Sequence, residues 1–240
     1  MKHIVVFLAY ENFDMIKKSF NSLKNSNSDF FIIENFSKNS NSIKEFFIKE
    51  KLIGYIQFLD NARANAVNIF IEKYYDLLSQ YDYVTITDGD LFIYDIADTF
   101  KEIILSFNDI NCYVCGVTLY KGNNYENNPN RIIGTEHYVE HMLSKSEHKI
   151  GPIKGRTGNH LLTFNKKSLN VIKDVHYIDS NIFLKIKNLG GSCYRTTKNL
   201  AYHLTWDLYF DGNPYYENKK NNLKEIWAKS NDNFMYNQII

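Results

Sequence analysis

Tyr83-Val84-Thr85-Ile86-Thr87-Asp88-Gly89-Asp90 is a β-branched, apolar run that stops abruptly in two carboxylates around a glycine. Such a run reads as a buried strand, and the C-terminal ends of strands are where an open α/β sheet binds its ligands. Carboxylate oxygens are the hard donors that Mg2+ or Mn2+ requires, and such a cation is what holds a diphosphate. The octapeptide therefore points to an α/β enzyme that handles a nucleotide diphosphate.

Working outward, the segments before it alternate in type. His3–Ala9 is an apolar run, and Phe13–Leu23 repeats its apolar positions (Phe13, Ile16, Phe20, Leu23) at helical spacing. Asp29–Glu34 predicts a second strand, Ile43–Ile48 a short helix, Tyr55–Leu59 a third strand and Ala62–Leu78 a long amphipathic helix. Strands alternating with helices of this length predict a doubly wound, mostly parallel, Rossmann-like sheet. After Asp90 the pattern predicts a helix over Ile96–Phe107, strands at Cys112–Leu119 and His160–Phe164, and a short helix from Lys166. Asp179–Leu189 reads as a helix closed by Gly190-Gly191, followed by strands at Ser192–Thr196 and Ala201–Leu204. The polar stretch Lys121–Arg131 predicts a long loop, a lid or acceptor-binding element, and Glu136–Leu143 and Leu223–Lys229 predict further helices.

Each strand end in the first half carries polar residues that suit a nucleotide: Tyr10-Glu11-Asn12, then Glu34-Asn35-Phe36-Ser37, then Asp60-Asn61-Ala62-Arg63-Ala64-Asn65, then the Asp88/Asp90 pair. Any one of these could be an ordinary helix cap, and Asp-Gly is itself a common turn pair. Four in succession predict a rim, with Tyr10, Asn12, Glu34, Asn61, Arg63 and Asn65 as candidate nucleotide contacts.

These residues resemble the GT-A glycosyltransferases, in particular the large inverting, family 2-like group that uses nucleotide-diphosphate sugars. Ile32-Ile33-Glu34-Asn35-Phe36-Ser37 is similar to that group's second strand end, where an acidic residue recognises the base. Asn61-Ala62-Arg63-Ala64-Asn65-Ala66-Val67-Asn68 resembles its Asn-rich helix start, with Arg63 in place of a Gly. Thr87-Asp88-Gly89-Asp90 matches its Asp-any-Asp motif. Tyr177 to Gly190 resembles the segment that carries the catalytic carboxylate, with Ile178 where a Glu is usual and Lys185 or Lys187 standing in for a basic residue. Ala201-Tyr202-His203-Leu204 looks like the late strand whose His can complete a metal site.

The resemblance implies Mn2+ or Mg2+ held by Asp90, with Asp88 contacting ribose, sugar or metal and His203 closing the shell. It implies Asp179 as the base that deprotonates an acceptor hydroxyl, with inversion at the anomeric carbon. The implied donor is a nucleotide-diphosphate sugar, UDP-linked by preference. The acceptor would be a glycan or a lipid-linked glycan in bacterial surface-glycan synthesis. Tyr120, Tyr125, Trp206, Tyr209 and Phe210 are candidates to stack on a sugar ring.

Composition bounds the alternatives. A 44% hydrophobic chain of 240 residues can bury a sizeable core, and 28 basic against 27 acidic residues provide no field for nucleic acid. Cys112, Cys115 and Cys193 are odd in number and read as buried thiols rather than as a zinc site. His137 and His141 flank Glu140 at helical spacing, but the order is not His-Glu-any-any-His, so a solvated or acceptor-facing helix is the reading. The Ile4–Ala9 run is too short for a signal peptide or a span, which predicts a cytoplasmic protein. Tyr215-Tyr216, Lys219-Lys220 and Trp227 offer peripheral contact with the inner membrane face. We read residues 1–110 as the nucleotide-sugar half, 111–210 as the acceptor and catalytic half, and 211–240 as a helical tail. Two other functions fit the same residues: a sugar nucleotidyltransferase, although Ala9-Tyr10-Glu11-Asn12 lacks its Gly-rich basic loop, and a non-catalytic glycan- or nucleotide-binding module.

Overall fold

The computed structural model describes residues 1–120, 152–155, 158, 160–208, 212–218, 221 and 234–239. The long loop at 121–131, the helix at 136–143 with its two histidines, Tyr125, Tyr209, Phe210, the 223–229 helix, Lys219, Lys220 and Trp227 lie outside these, as do the side chains of Tyr120 and Trp206.

Strands β1 (His3–Ala9), β2 (Asp29–Asn35), β3 (Gly54–Phe58) and β4 (Tyr83–Asp88) alternate with helices α1 (Phe13–Leu23), α2 (Ser40–Phe47) and α3 (Asn65–Leu78). Their side chains alternate faces in the way a two-sided sheet demands. Val5, Phe7 and Ala9 of β1 join one apolar cluster, while Ile4 and Val6 join the other. The first cluster holds α1, α2 and α4 (Ile96–Ser106) through Phe20, Phe47 and Phe100. The second holds α3, α5 (Leu169–Lys173) and α6 (Asp179–Asn188) through Phe70, Ile172 and Ile182. The sheet is thus covered on both faces, an α/β sandwich of three layers.

β5 (Leu91–Ile93), β6 (Cys112–Tyr120), β7 (Ile153–Lys154), β8 (Leu161–Asn165), β9 (Ser192–His203) and β10 (Tyr236–Gln238) complete a sheet of ten strands among the described residues. Its order is β10-β3-β2-β1-β4-β8-β6-β9-β5, with β7 on β9. Parallel pairing holds from β3 to β4 and again between β6 and β9; β4 and β6 both pair antiparallel with β8, and β5 pairs antiparallel with β9. The sheet is therefore mixed, and the mostly parallel expectation describes its first half. The 236–238 segment, expected in a helical tail, is an edge strand antiparallel to β3. Tyr216, read as membrane-facing, is fully buried and cannot serve that purpose.

β9 is one strand where two were expected. Gly116 pairs with Arg195 and Thr118 with Leu200, so residues 196–199 leave the ladder. Buried Glu102 of α4 holds that bulge, its Oε1 accepting from the backbone N–H of Thr197 at 2.6 Å and of Lys198 at 3.2 Å. Beyond it β9 turns to pair with β5, which delivers His203 opposite Leu91.

Candidate active site

β1 to β4 run parallel, so their C-terminal loops share one edge. β8 runs against β4 and contributes its leading residue there, and β9, parallel to β6, ends there with His203. All the predicted strand-end residues except Asp179 reach this edge by topology alone.

The Asp88-Gly89-Asp90 turn is held close to β1. A Cβ at position 89 would lie 2.3 Å from the carbonyl oxygen of Leu8, so only glycine fits this approach. Asp90 then faces the end of β9. Its Oδ2 accepts from the Thr205 hydroxyl at 2.8 Å and lies 3.5 Å from His203 Nε2, while its backbone carbonyl accepts from Leu204 N–H at 2.7 Å. The Thr205 hydroxyl has one proton, already given to Asp90, so the 2.6 Å contact with His203 Nδ1 is donated by the imidazole N–H. The other ring nitrogen, Nε2, faces the Asp90 carboxylate, offering a lone pair when the ring is neutral and a proton when it is charged. Asp90 Oδ1 is buried with no hydrogen-bond partner among the described residues.

Asp88 does not join this pair. Its backbone N–H donates to the His160 carbonyl at 2.8 Å, and its Oδ2 lies 3.3 Å from His160 Nδ1. The two imidazoles meet edge to face, His160 and His203 having centroids 4.6 Å apart. Asp88, Asp90 and His203 were expected as one metal shell. Instead two Asp–His pairs stand side by side, and among the described residues no three His, Cys, Asp or Glu side chains are grouped to hold a metal. His160 is the site residue that sequence reading passed over, because its proximity to Asp88 comes from β8 lying antiparallel to β4, a neighbour relation with no local signature.

The nucleotide rim is tied together by side-chain amides. Asn61 donates to the Tyr10 phenol oxygen at 3.0 Å, and Asn35 donates to Asn61 Oδ1 at 3.2 Å while accepting from Ala62 N–H at 2.9 Å. Ser37 Oγ accepts from Glu11 N–H at 2.8 Å, joining the first loop to the second. Burial, and then Glu11, push the Tyr10 phenol above its ordinary pKa. Glu11, Phe36 and Arg63 all have positive φ, at 62°, 55° and 54°, so three successive strand-end loops carry a non-glycine residue in the left-handed region. Such strain gathers where loops are shaped for function.

Other predicted contacts are turned inward. Glu34 is completely buried, with Oε1 accepting from Ser37 N–H and Oε2 from Ser40 Oγ, both at 2.7 Å. Its carboxylate shapes the loop that carries Phe36, which is 52% exposed. Asn12 caps α1, its Oδ1 accepting from Met15 N–H at 3.2 Å. Asn65 opens α3, buried, with its Nδ2 lacking a partner among the described residues. Asp179 is the first residue of α6, and its Oδ1 accepts from Ser180 N–H at 2.7 Å. Two residues earlier, Tyr177 is buried, and its phenol is pushed well above its ordinary pKa by burial and then by the charge of Asp88. Cys112, Cys115 and Cys193 are free, buried thiols with raised pKa values. No described helix is long and apolar enough to cross a membrane.

No family model matches the sequence. Two uncharacterized proteins of Acanthamoeba polyphaga mimivirus are similar to it: one is 34% identical over 250 residues, covering 93% of this chain and 48% of the relative. The other is 31% identical over 246 residues, covering 93% of this chain and 32% of the relative. The chain thus spans about half or less of the length of these relatives. Among solved structures, a mannosyltransferase from Pyrobaculum calidifontis in complex with GDP-Man and Mn2+ superposes with a TM-score of 0.61 at 13% identity, over 95% of this chain and 65% of that one. TarS of S. aureus superposes with a TM-score of 0.55 at 14% identity, over 84% of this chain and 36% of that one. At such identities the likeness speaks for architecture, and the chain has a GT-A-like α/β fold, the fold of nucleotide-sugar glycosyltransferases.

Proposed function

We propose that this chain transfers a sugar from a nucleotide-diphosphate sugar to a hydroxyl acceptor, with Mn2+ or Mg2+ at the Asp88-Gly89-Asp90 turn. The observation that carries the reading is Asp90: a carboxylate with one oxygen buried and without a hydrogen-bond partner among the described residues, the other facing an imidazole nitrogen at 3.5 Å. Leaving a buried carboxylate oxygen unsatisfied is costly, and a divalent cation is the partner whose chemistry suits both atoms. Asp90 and His203 would hold it, with Asp88, steadied by His160, on its diphosphate side. The cation supplies Lewis-acid stabilisation of the departing diphosphate.

The chain's own residues supply the remainder. Tyr10 and Phe36, 41% and 52% exposed on neighbouring loops, offer aromatic faces to a base. Asn61 and Arg63 stand together on the loop after β3. Asp179 at the head of α6 takes the proton of the acceptor hydroxyl as that oxygen attacks the anomeric carbon from the face opposite the diphosphate, giving inversion. Residues 1–110 form the donor half and 111–210 the acceptor half. A GDP- or a UDP-sugar meets the same rim, and a surface glycan is the acceptor class we favour, made at the cytoplasmic face.

A thermal-shift screen of GDP- and UDP-sugars with and without Mn2+ tests the donor and the metal, because tight ligands raise the melting temperature by mass action. Release of free nucleotide diphosphate from the hit donor tests catalysis, and the product anomer tests inversion. A donor that shifts the protein with no release of nucleotide diphosphate under any acceptor would make the chain a binding module and end the transferase reading.

A further inference from the structure

Asn68 lies in α3, one turn beyond the donor rim, and its amide reaches across to the chain more than a hundred residues later. Nδ2 donates to the Val175 carbonyl at 2.7 Å and Oδ1 accepts from the Tyr177 N–H at 2.9 Å. One side chain thus satisfies a donor and an acceptor two residues apart, the same pair of groups that a neighbouring strand would address. Around the second anchor the chain is tightly wound, with Ile178 N–H donating back to the His176 carbonyl at 2.7 Å. α6 begins immediately afterwards, at Asp179.

We propose that Asn68 is a positioning residue that sets Asp179 against the donor site. This inference rests on the transferase reading, in which Asp179 is the base. The segment it clamps carries two groups at once: Tyr177, which is buried, and Asp179 two residues on. α3 starts at the rim that includes Asn61 and Arg63, so the clamp ties the helix that leaves the donor side to the segment that leads into Asp179. Only an amide of this length fits the task. A carboxylate at position 68 would lose the bond to Val175, and an alanine would lose both. α3 also holds α5 by contacts that do not involve Asn68, through the Tyr75 hydroxyl on Asn170 and Lys173 over the Tyr75 ring.

The test compares wild type, Asn68→Ala and Asn68→Asp in steady-state transfer with the donor found by the thermal-shift screen. A clamp that positions the base lowers kcat by about tenfold to a hundredfold, the cost of displacing a reacting group by about an ångström. Donor KM and the donor-induced thermal shift stay within about twofold of wild type, and deuterium uptake rises over residues 175–181 but not in β1 or β4. If Asn68→Ala does not fold, the isosteric Asn68→Asp carries the test alone. Wild-type kcat in a folded variant overturns the proposal, and so does a loss of donor affinity in step with kcat, which would make Asn68 a donor contact. A wild-type protein that transfers no sugar from any donor fails before any variant is made, and that outcome removes the transferase reading and the positioning role with it.

Discussion

Asp90 and its neighbours test the metal assignment one residue at a time. Asp90→Asn keeps the shape and the Thr205 bond but replaces one carboxylate oxygen with an amide. The Mn2+-dependent part of the thermal shift should disappear and transfer should fall by about a hundredfold or more, the scale of losing a directly charge-stabilising group. An unchanged Mn2+ response in that variant would remove Asp90 from the metal site. Gly89→Ala acts through the backbone: its new methyl would meet the Leu8 carbonyl at 2.3 Å, so the turn must move. Overpacking of that kind costs on the order of 1–3 kcal/mol, readable as a drop in denaturation midpoint together with weaker metal response. The two aspartates were legible in the sequence because a strand followed by Asp-Gly-Asp has a local signature. The pairing of Asp88 with His160 was not, since it depends on which strand lies next to β4. Glu34 was legible as a strand-end acid but not as a buried one; its partners Ser37 and Ser40 are close in sequence, yet nothing local says that both take its oxygens inward.

At the scale of elements, the rim loops are the informative part. Arg63 stands at φ 54°, where the family resemblance anticipates a glycine, and a non-glycine residue there costs about 1–2 kcal/mol. Arg63→Gly should therefore be neutral to slightly stabilising, by at most about 1 kcal/mol, because the strain relieved is offset by the greater freedom of glycine in the unfolded chain. If the guanidinium contacts donor phosphates, the same variant weakens donor binding, and urea melts beside donor titrations separate the backbone effect from the charge. α1 and β1 have the predicted limits because their apolar spacing is regular, whereas α2 starts three residues earlier than expected, at Ser40, where a polar first turn carries no apolar signal, and α3 three residues later, at Asn65. Three short strands, β5, β7 and β10, escaped notice: two or three residues give no periodicity, and only a long-range partner makes them strands. The β9 bulge was missed for a related reason, since Glu102, which holds it, sits 95 residues from Thr197.

For the molecule as a whole, pH separates two buried or bonded groups. His3, in β1, is buried with Nε2 at 2.8 Å from Thr85 Oγ1 and Nδ1 at 2.9 Å from Ser28 Oγ, and burial pushes its pKa down from 6.5 to about 4. The folded state holds the neutral ring while the unfolded chain takes up a proton below pH 6.5. Stability is therefore complete above about pH 6.5 and is lost as pH falls toward 4, by about 3 kcal/mol. Urea melts of wild type and His3→Gln between pH 7.5 and 4 check this, because the variant lacks that slope. Asp109 acts in a lower window: hydrogen bonds from Tyr194 and from Asn111 N–H, with Lys154 beside it, hold its pKa down from 3.8 to about 2. Its contribution is present above about pH 4 and disappears as pH falls toward 2. Fold class was legible from the alternation of strands and helices, whereas the antiparallel half was not, because strand direction there is set by connections longer than any pattern in the chain. β4 sits at the boundary, bonded to a parallel neighbour on one flank and an antiparallel one on the other. That single rib is also a seam: Asp88 closes it, whereas Asp90, His160 and His203 all follow it in the chain, so a chimera that swaps everything after β4 would forfeit the partners of both carboxylate–imidazole pairs and inherit only half a site.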